Sequence, residues 1–442
     1  MPSIEVLATG TDQSITIQTA IDSLSRSGGG KVVLLAGRHF CGPLRLRSGV
    51  ELNIAEDAVL EFTGSYSRLE ENRVTVTAEG SDRALIVAQG QFGIAVSGTG
   101  EILAPGRSYC VGFDPEVGTL VPAQYRPRVL VLEDCVAVRI SGIRIVDSPM
   151  WTVHMVGCTD VRISGLVIRN DKRLPNTDGV VIDSCSDVLV EALDISTADD
   201  GICLKTTERA GGVGKISQVV VRDCRVSSQS CAFKIGTETF GDIRNVVFED
   251  CEVLESNRAL GIFSRDGGAI CDVRFSRIRV DCRETSDGFW GSGEALTVNG
   301  LDRRTSRPAG VISGLVVEDI TGTMEGAINL IAVAPAGIRN VRLSRIAVTQ
   351  IPGTLGTGQR YDLRPTPADL AVAADARGRA NAWTKDAAGR IAGVLDYPTG
   401  LPALYAVGVT GLALTEVTIG RPTPIPAGWA KDPLFVTQVS KL

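Results

Sequence analysis

The chain has 442 residues, 44% hydrophobic and 22% charged, with a formal net charge of −6. That length exceeds what one compact core comfortably holds, so two domains or one elongated repeat is expected. The negative balance argues against a protein built to grip nucleic acid or an anionic membrane, although a local basic patch can coexist with it.

Forty-nine glycines, 5% aromatics and apolar runs dominated by Val and Ile point to many turns and short strands. The N-terminus, Met-Pro-Ser-Ile-Glu, has neither a charged nor an apolar leader region, and no run approaches a membrane span, so a cytoplasmic location is expected. Ile17, Ala20, Ile21 and Leu24 have helical spacing just before Gly28-Gly29-Gly30. They predict a short amphipathic helix in a capping region over 10–35.

From Val138 onward the chain repeats itself. Val138-Arg139-Ile140-Ser141-Gly142-Ile143 returns as Val161-Arg162-Ile163-Ser164-Gly165-Leu166. The wider form, apolar-x-apolar-x-x-apolar-x-apolar, recurs from Val188, Val219, Val246 and Val273, degraded at Leu315, and again from Val341 and Leu412. It describes two short strands with a corner between them. A unit this small cannot bury its apolar face alone, so neighbours must stack. The period, with no helical pattern between units, predicts an all-β, right-handed parallel β-helix forming one domain over 1–442. Residues 352–400 break the repeat as an excursion, and 404–419 form the last unit before a Pro-rich tail.

Of eleven cysteines none forms a C-x-x-C pair, which argues against zinc. Cys135, Cys158, Cys185, Cys224, Cys251 and Cys282 fall at or near unit edges and read as reduced packing residues.

Registering the units on Asp-Gly aligns Asp178-Gly179 with Asp200-Gly201. Neighbouring strands lie roughly 4.8 Å apart, so these two acids should be neighbours on one face. Asp199 joins them only if the chain turns a corner there. Carboxylates this close cannot all ionise easily, so one should keep a proton near neutral pH. Paired acids of this kind are the equipment for cutting a glycosidic bond.

The sequence resembles glycoside hydrolase family 28, the polygalacturonase-type enzymes. The resemblance lies in Gly28-Gly29-Gly30-Lys31-Val32, Gly42-Pro43-Leu44, Asn176-Thr177-Asp178-Gly179 and Asp199-Asp200-Gly201-Ile202-Cys203-Leu204-Lys205. It implies an inverting hydrolase of α-linked, uronic-acid-containing, pectin-derived oligosaccharides. Asp199 would be the general acid, while Asp178 and Asp200 would hold and deprotonate the water. No metal or organic cofactor is implied, and exo-action on short imported fragments is expected. Two family motifs are missing. Gly-His-Gly is replaced by Ser230-Cys231-Ala232, and the Arg-Ile-Lys that grips the sugar carboxylate by Gly261-Ile262-Phe263.

Lys205, Lys234, Arg258 and Arg265 are the basic residues that could restore that lost charge, Arg because a guanidinium matches a carboxylate bidentately; the alternative is a substrate that presents a neutral sugar there. Asn176 belongs to the core motif. His154 aligns with Val181 one unit later and is expected to line a sugar pocket or to serve as a structural histidine; His39, near the cap, reads as structural. Trp290 offers a stacking platform and Glu294 a hydroxyl acceptor, with Tyr361 and Arg364 in the excursion as weaker choices. Two rival functions share the architecture. A lyase would use the acids for Ca²⁺ and a basic residue to remove a proton. A non-catalytic sugar-binding coil would do no chemistry.

Overall fold

The structure, a computed structural model, describes residues 2–370 and 384–437. The chain winds into a parallel β-helix whose strands stack into two long sheets, one of twenty strands and one of thirteen. The repeat positions stack as their spacing predicts: Val138 pairs with Val161, Val188, Val219, Val246, Val273, Leu315, Val341 and Leu412 in successive turns. These side chains point inward and are nearly all buried; Phe233, Phe248 and Phe275 stack among them with ring centroids 5.5 and 5.0 Å apart.

Two of the bends in the repeat each rest on a single left-handed residue. Asp160, Asp187, Asn245, Asp272 and Asn340, directly before the first apolar position, have φ between 52° and 56°. A second set sits directly before the third apolar position: Gly142, Gly165, Ala192, Asp223, Asp250, Arg277, Asp319, Arg345 and Glu416 all have positive φ. Asn, Asp and Gly tolerate this region best, because a short polar side chain can bond locally and glycine has no Cβ to clash.

The helix Ser14–Arg26 closes the N-terminal end and buries Ile17, Ala20, Ile21 and Leu24 against the first turn. Asp12 starts it by accepting the Ser14 N–H at 2.9 Å. No helix among the described residues is long and apolar enough to cross a membrane.

One boundary differs from the expectation. The Pro-rich tail does not simply trail away after Ile419: Leu434–Thr437 returns as a strand beside Leu404–Val407. It carries no paired alternation with a corner, so the repeat pattern does not mark it. The excursion leaves the coil after Gln350 and returns at Leu404; its residues 371–383 lie outside the described part.

Candidate active site

The thirteen-stranded sheet presents its outer face to the site. Its strands include Arg128–Glu133, Val153–Val156, Val180–Asp183, Ile202–Thr206, Cys231–Thr239, Arg258–Ser264 and Leu296–Gly300. Val153, Val180, Ile202, Phe233, Leu260 and Leu296 are in register. Two residues earlier, the same register places Trp151, Asp178, Asp200, Cys231, Arg258 and Glu294 in one column. One residue later come His154, Val181, Cys203, Lys234, Gly261 and Thr297.

Asp199 is brought in by the corner. The chain bends between Asp194–Thr197 and Ile202–Thr206, and the hydroxyls of Thr197 and Ser228 pin that bend by donating to the Asp199 carbonyl at 2.6 and 2.7 Å. The Asp199 carboxylate accepts the Asp200 N–H at 3.0 Å and the Asn176 N–H at 3.2 Å. Asn176, left-handed at φ 60°, is fixed in turn by Arg126, which donates to its Oδ1 at 2.8 Å and to the Pro149 and Pro175 carbonyls. One oxygen from each of Asp178, Asp199 and Asp200 lies within 4.8 Å of the others.

All three aspartates are buried. Burial, then the charges of Asp199 and Asp200, push the Asp178 carboxyl well above the usual range. Burial also raises Asp200, but Lys234 opposes it, with Nζ 2.5 Å from Asp200 Oδ2. Lys234 itself stays firmly charged: burial works against its ammonium, and Asp200 outweighs that loss. Lys205 lies 3.1 Å from Glu238 and 4.1 Å from the Trp151 ring centroid.

Around this cluster the groove is closed at both ends. On the N-terminal side the strand Arg73–Ala78 lies over the sheet face, with Val74 against Val87 and Val131, and Ala78 against Trp151 and Val181. Arg128 ties it down through the Val76 and Ser81 carbonyls at 2.6 and 3.2 Å. On the C-terminal side the excursion covers the face, with Leu363 and Tyr397 packed on Ile331 and Tyr405. Along one flank the hairpin of Cys110–Asp114 and Thr119–Pro122 reaches the 284–293 loop, where Ser286 Oγ donates to the Val117 carbonyl at 2.8 Å. Between these walls lie the Ile202–Thr206 and Cys231–Thr239 strands.

The predicted binding residues divide. Asn176, Lys205 and Lys234 are at the cluster. Arg258 and Arg265 are not free to grip a sugar carboxylate, contrary to expectation. Arg258 faces Glu294 at 3.4 Å and Asp362 at 3.5 Å, and donates to the Asp362 carbonyl. Arg265 donates to the carbonyls of Pro365, Leu363 and Ser264 at 2.8–2.9 Å. Both are braces for the excursion, whose partners lie some hundred residues away in sequence. Glu294 is likewise committed, to Arg258 and the Ser292 N–H at 2.6 Å, rather than open to a hydroxyl.

Trp290 is largely buried, with Lys234 5.7 Å from its ring centroid, so it walls the pocket rather than offering an open platform. Arg364 is spent on Asp362, and Tyr361 packs between Tyr397 and Tyr405. His154 is fully buried beneath Trp151, and burial pushes its pKa down to about 4. Arg128 donates to its Nδ1 at 2.8 Å, so the neutral ring carries its proton on Nε2, facing Asp183 Oδ2 at 3.7 Å. It is a structural histidine. His39 is one too, with Nε2 2.8 Å from the Leu35 carbonyl. Trp151, Glu238 and Phe263 were not singled out from sequence as pocket residues. Trp151 was detectable, standing two residues before Val153 as Asp178 stands before Val180.

The model of Glycosyl hydrolases family 28 matches residues 48–357. The chain belongs to that family. A probable polygalacturonase of Vitis vinifera is 28% identical over 293 residues, covering 62% of this chain and 58% of that protein. The chain spans about half the length of the curated relatives it matches. An exopolygalacturonase structure from Thermotoga maritima superposes with a TM-score of 0.58 at 22% identity, over 79% of this chain and 89% of that one. A polygalacturonase structure from Erwinia carotovora gives 0.62 at 18%, over 78% and 92%. These two share the fold.

Within this family 28 chain, Cys231 stands in the column of Asp178 and Asp200, where the resemblance would place a histidine. Gly261 has no side chain, and the Phe263 ring lies across it: a Cβ there would meet Phe263 Cε2 at 2.6 Å and Cys231 Sγ at 2.8 Å.

Proposed function

We propose that the protein is an exo-acting hydrolase of α-linked, pectin-derived oligosaccharides that inverts the anomeric centre. The observation that carries this reading is the trio of carboxylates within 4.8 Å on a sheet face flanked by two packed segments, which we read as a pocket closed at both ends. A through-chain cannot lie across such a pocket, whereas a chain end can enter it. Asp199 protonates the leaving oxygen, and Asp178 and Asp200 hold the attacking water and take its proton. Lys234 favours the ionised form of Asp200 for that task. The role of Asp199 and the inversion rest on family membership.

The same lysine speaks against a calcium lyase: it already neutralises a carboxylate that Ca²⁺ would need. We place the enzyme in the cytoplasm, a reading supported by eleven free cysteines, ten of them buried, in keeping with a reducing compartment.

The test is a time course on a panel of pectic oligosaccharides, with and without EDTA, beside Asp199→Asn. The expected result is stepwise release of one short saturated product from the start, indifferent to EDTA and abolished by the substitution. Mid-chain fragments would sink the exo reading, and turnover indifferent to Asp199 would sink the hydrolase reading.

A further inference from the structure

The pocket's charges are already spent. Asp178, Asp199, Asp200 and Glu238 gather around Lys205 and Lys234, and each lysine is paired, to Glu238 at 3.1 Å and to Asp200 at 2.5 Å; Arg303, which also acts on Glu238, is itself paired with Asp266 at 2.7 Å. The nearby guanidiniums are committed elsewhere. Arg258 serves Glu294 and Asp362, Arg265 serves three backbone carbonyls, Arg126 holds the Asn176 turn, and Arg128 holds His154 and the Val76 carbonyl.

The stretch beside Lys234 is equally telling. Gly261 adds no side chain, and the buried Phe263 ring fills its place, with Arg258, Arg265 and Lys234 at 5.0, 5.9 and 5.7 Å from its centroid. An entering carboxylate would lose its water, join a surplus of acids and find both lysines of the cluster already paired. Burying an unpaired charge is among the costliest events in a protein.

We infer that the sugar seated in this pocket is neutral, a hexose or deoxyhexose, and that any uronic acid of the substrate lies outside it. The inference rests on the pocket being the substrate site, as proposed above. It assigns specificity to two features, the Phe263 ring over Gly261 and the pairing of both lysines. A neutral ring needs only hydroxyl partners, which the carboxylates supply, and apolar surface, which Trp151 and Trp290 supply.

The experiment compares trigalacturonate with the same trimer after chemical reduction of its carboxyl groups, as substrates of the native protein. In parallel, binding of methyl α-galactoside and methyl α-galacturonate to the native protein is followed by NMR line broadening. The neutral member of each pair is expected to win, by at least tenfold in kcat/KM and by visible binding where the uronate shows none. Equal or better performance by the acid, or no binding of the neutral glycoside, overturns the inference. Binding of the neutral glycoside without hydrolysis of either trimer would sustain it while removing the hydrolase reading. A Gly261→Arg/Phe263→Lys double variant supplies the converse: trigalacturonate hydrolysis should rise at least tenfold relative to the reduced trimer, and an unchanged ratio in a folded variant counts against the role given to these two positions.

Discussion

Lys234 reaches across one turn of the coil to sit 2.5 Å from Asp200, so the charge balance of the acid cluster is set by the turn that follows it. Two pressures act on Asp200, burial raising its pKa and Lys234 lowering it. Replacing Lys234 by Met removes the second. The acid limb of the kcat/KM profile should move to higher pH, because Asp200 then loses its base form earlier as pH falls. At the optimum the rate should drop about tenfold to hundredfold, matching the roughly 1.5–3 kcal/mol of a charged hydrogen bond. A pH profile of the variant checks both; an unmoved acid limb would mean that Lys234 only fills space.

Asp178 should trade stability for activity. Its folded-state pKa lies above its unfolded value, so its contribution to stability is present at low pH and is lost as pH rises through the folded pKa. At neutral pH it therefore costs stability. Asp178→Asn should raise Tm at pH 7, with the advantage shrinking toward pH 4, while activity falls about 10²- to 10⁴-fold, as for loss of an acid–base group. Thermal melts across that range, beside initial rates, decide it.

His154 has the opposite sense of shift for its type. Its pKa is depressed to about 4, so as pH falls below about 6.5 the unfolded chain takes up a proton that the fold refuses. Stability should decline between about pH 6.5 and pH 4, by roughly 3 kcal/mol in total from this group. Urea titrations of the native protein and of His154→Gln should converge as pH drops. Parallel curves would show that the ring is not held neutral.

Arg265 holds the excursion by donating to the carbonyls of Leu363 and Pro365. Arg265→Met should cost about 1–3 kcal/mol, the usual penalty for leaving a buried hydrogen-bonding group unpaired. Limited proteolysis should then cut within 352–400 faster than in the native protein. Equal cutting rates would place the anchor elsewhere.

At the corners, Ala192 is exposed and left-handed at φ 57°, with no side-chain oxygen to bond locally. Ala192→Asn should stabilise by roughly 0.5–1 kcal/mol, given a cost of roughly 1–2 kcal/mol for an L-residue in that region. Chemical denaturation measures it, and a loss of stability would contradict this account of the bends.

The sequence made the coil legible because period-two alternation fixes both register and facing. Val138 to Leu412 stack in the order their spacing predicts, and Asp178 meets Asp200 for the same reason. What stayed hidden depends on chain outside the repeat. Arg258 and Arg265 read as sugar-binding residues because their true partners, Asp362 to Pro365, lie in an excursion with no pattern to register. The closing strand Leu434–Thr437 escaped notice for the same cause. Lys234 was visible as a basic residue, but its pairing with Asp200 needed the register and the corner at Asp199 together.

Each left-handed bend of the coil is made by a residue of that same turn. Length is therefore a free variable in this architecture: a whole turn added or removed between the acid cluster and either end would leave every other bend intact. The strand Arg73–Ala78 and the excursion are each anchored to particular turns, so such an insertion would move one end wall away from the aspartates by a single strand spacing of about 4.8 Å. Pocket depth could in this way be changed in fixed steps, like a telescope, while the chemistry at its floor stayed in place.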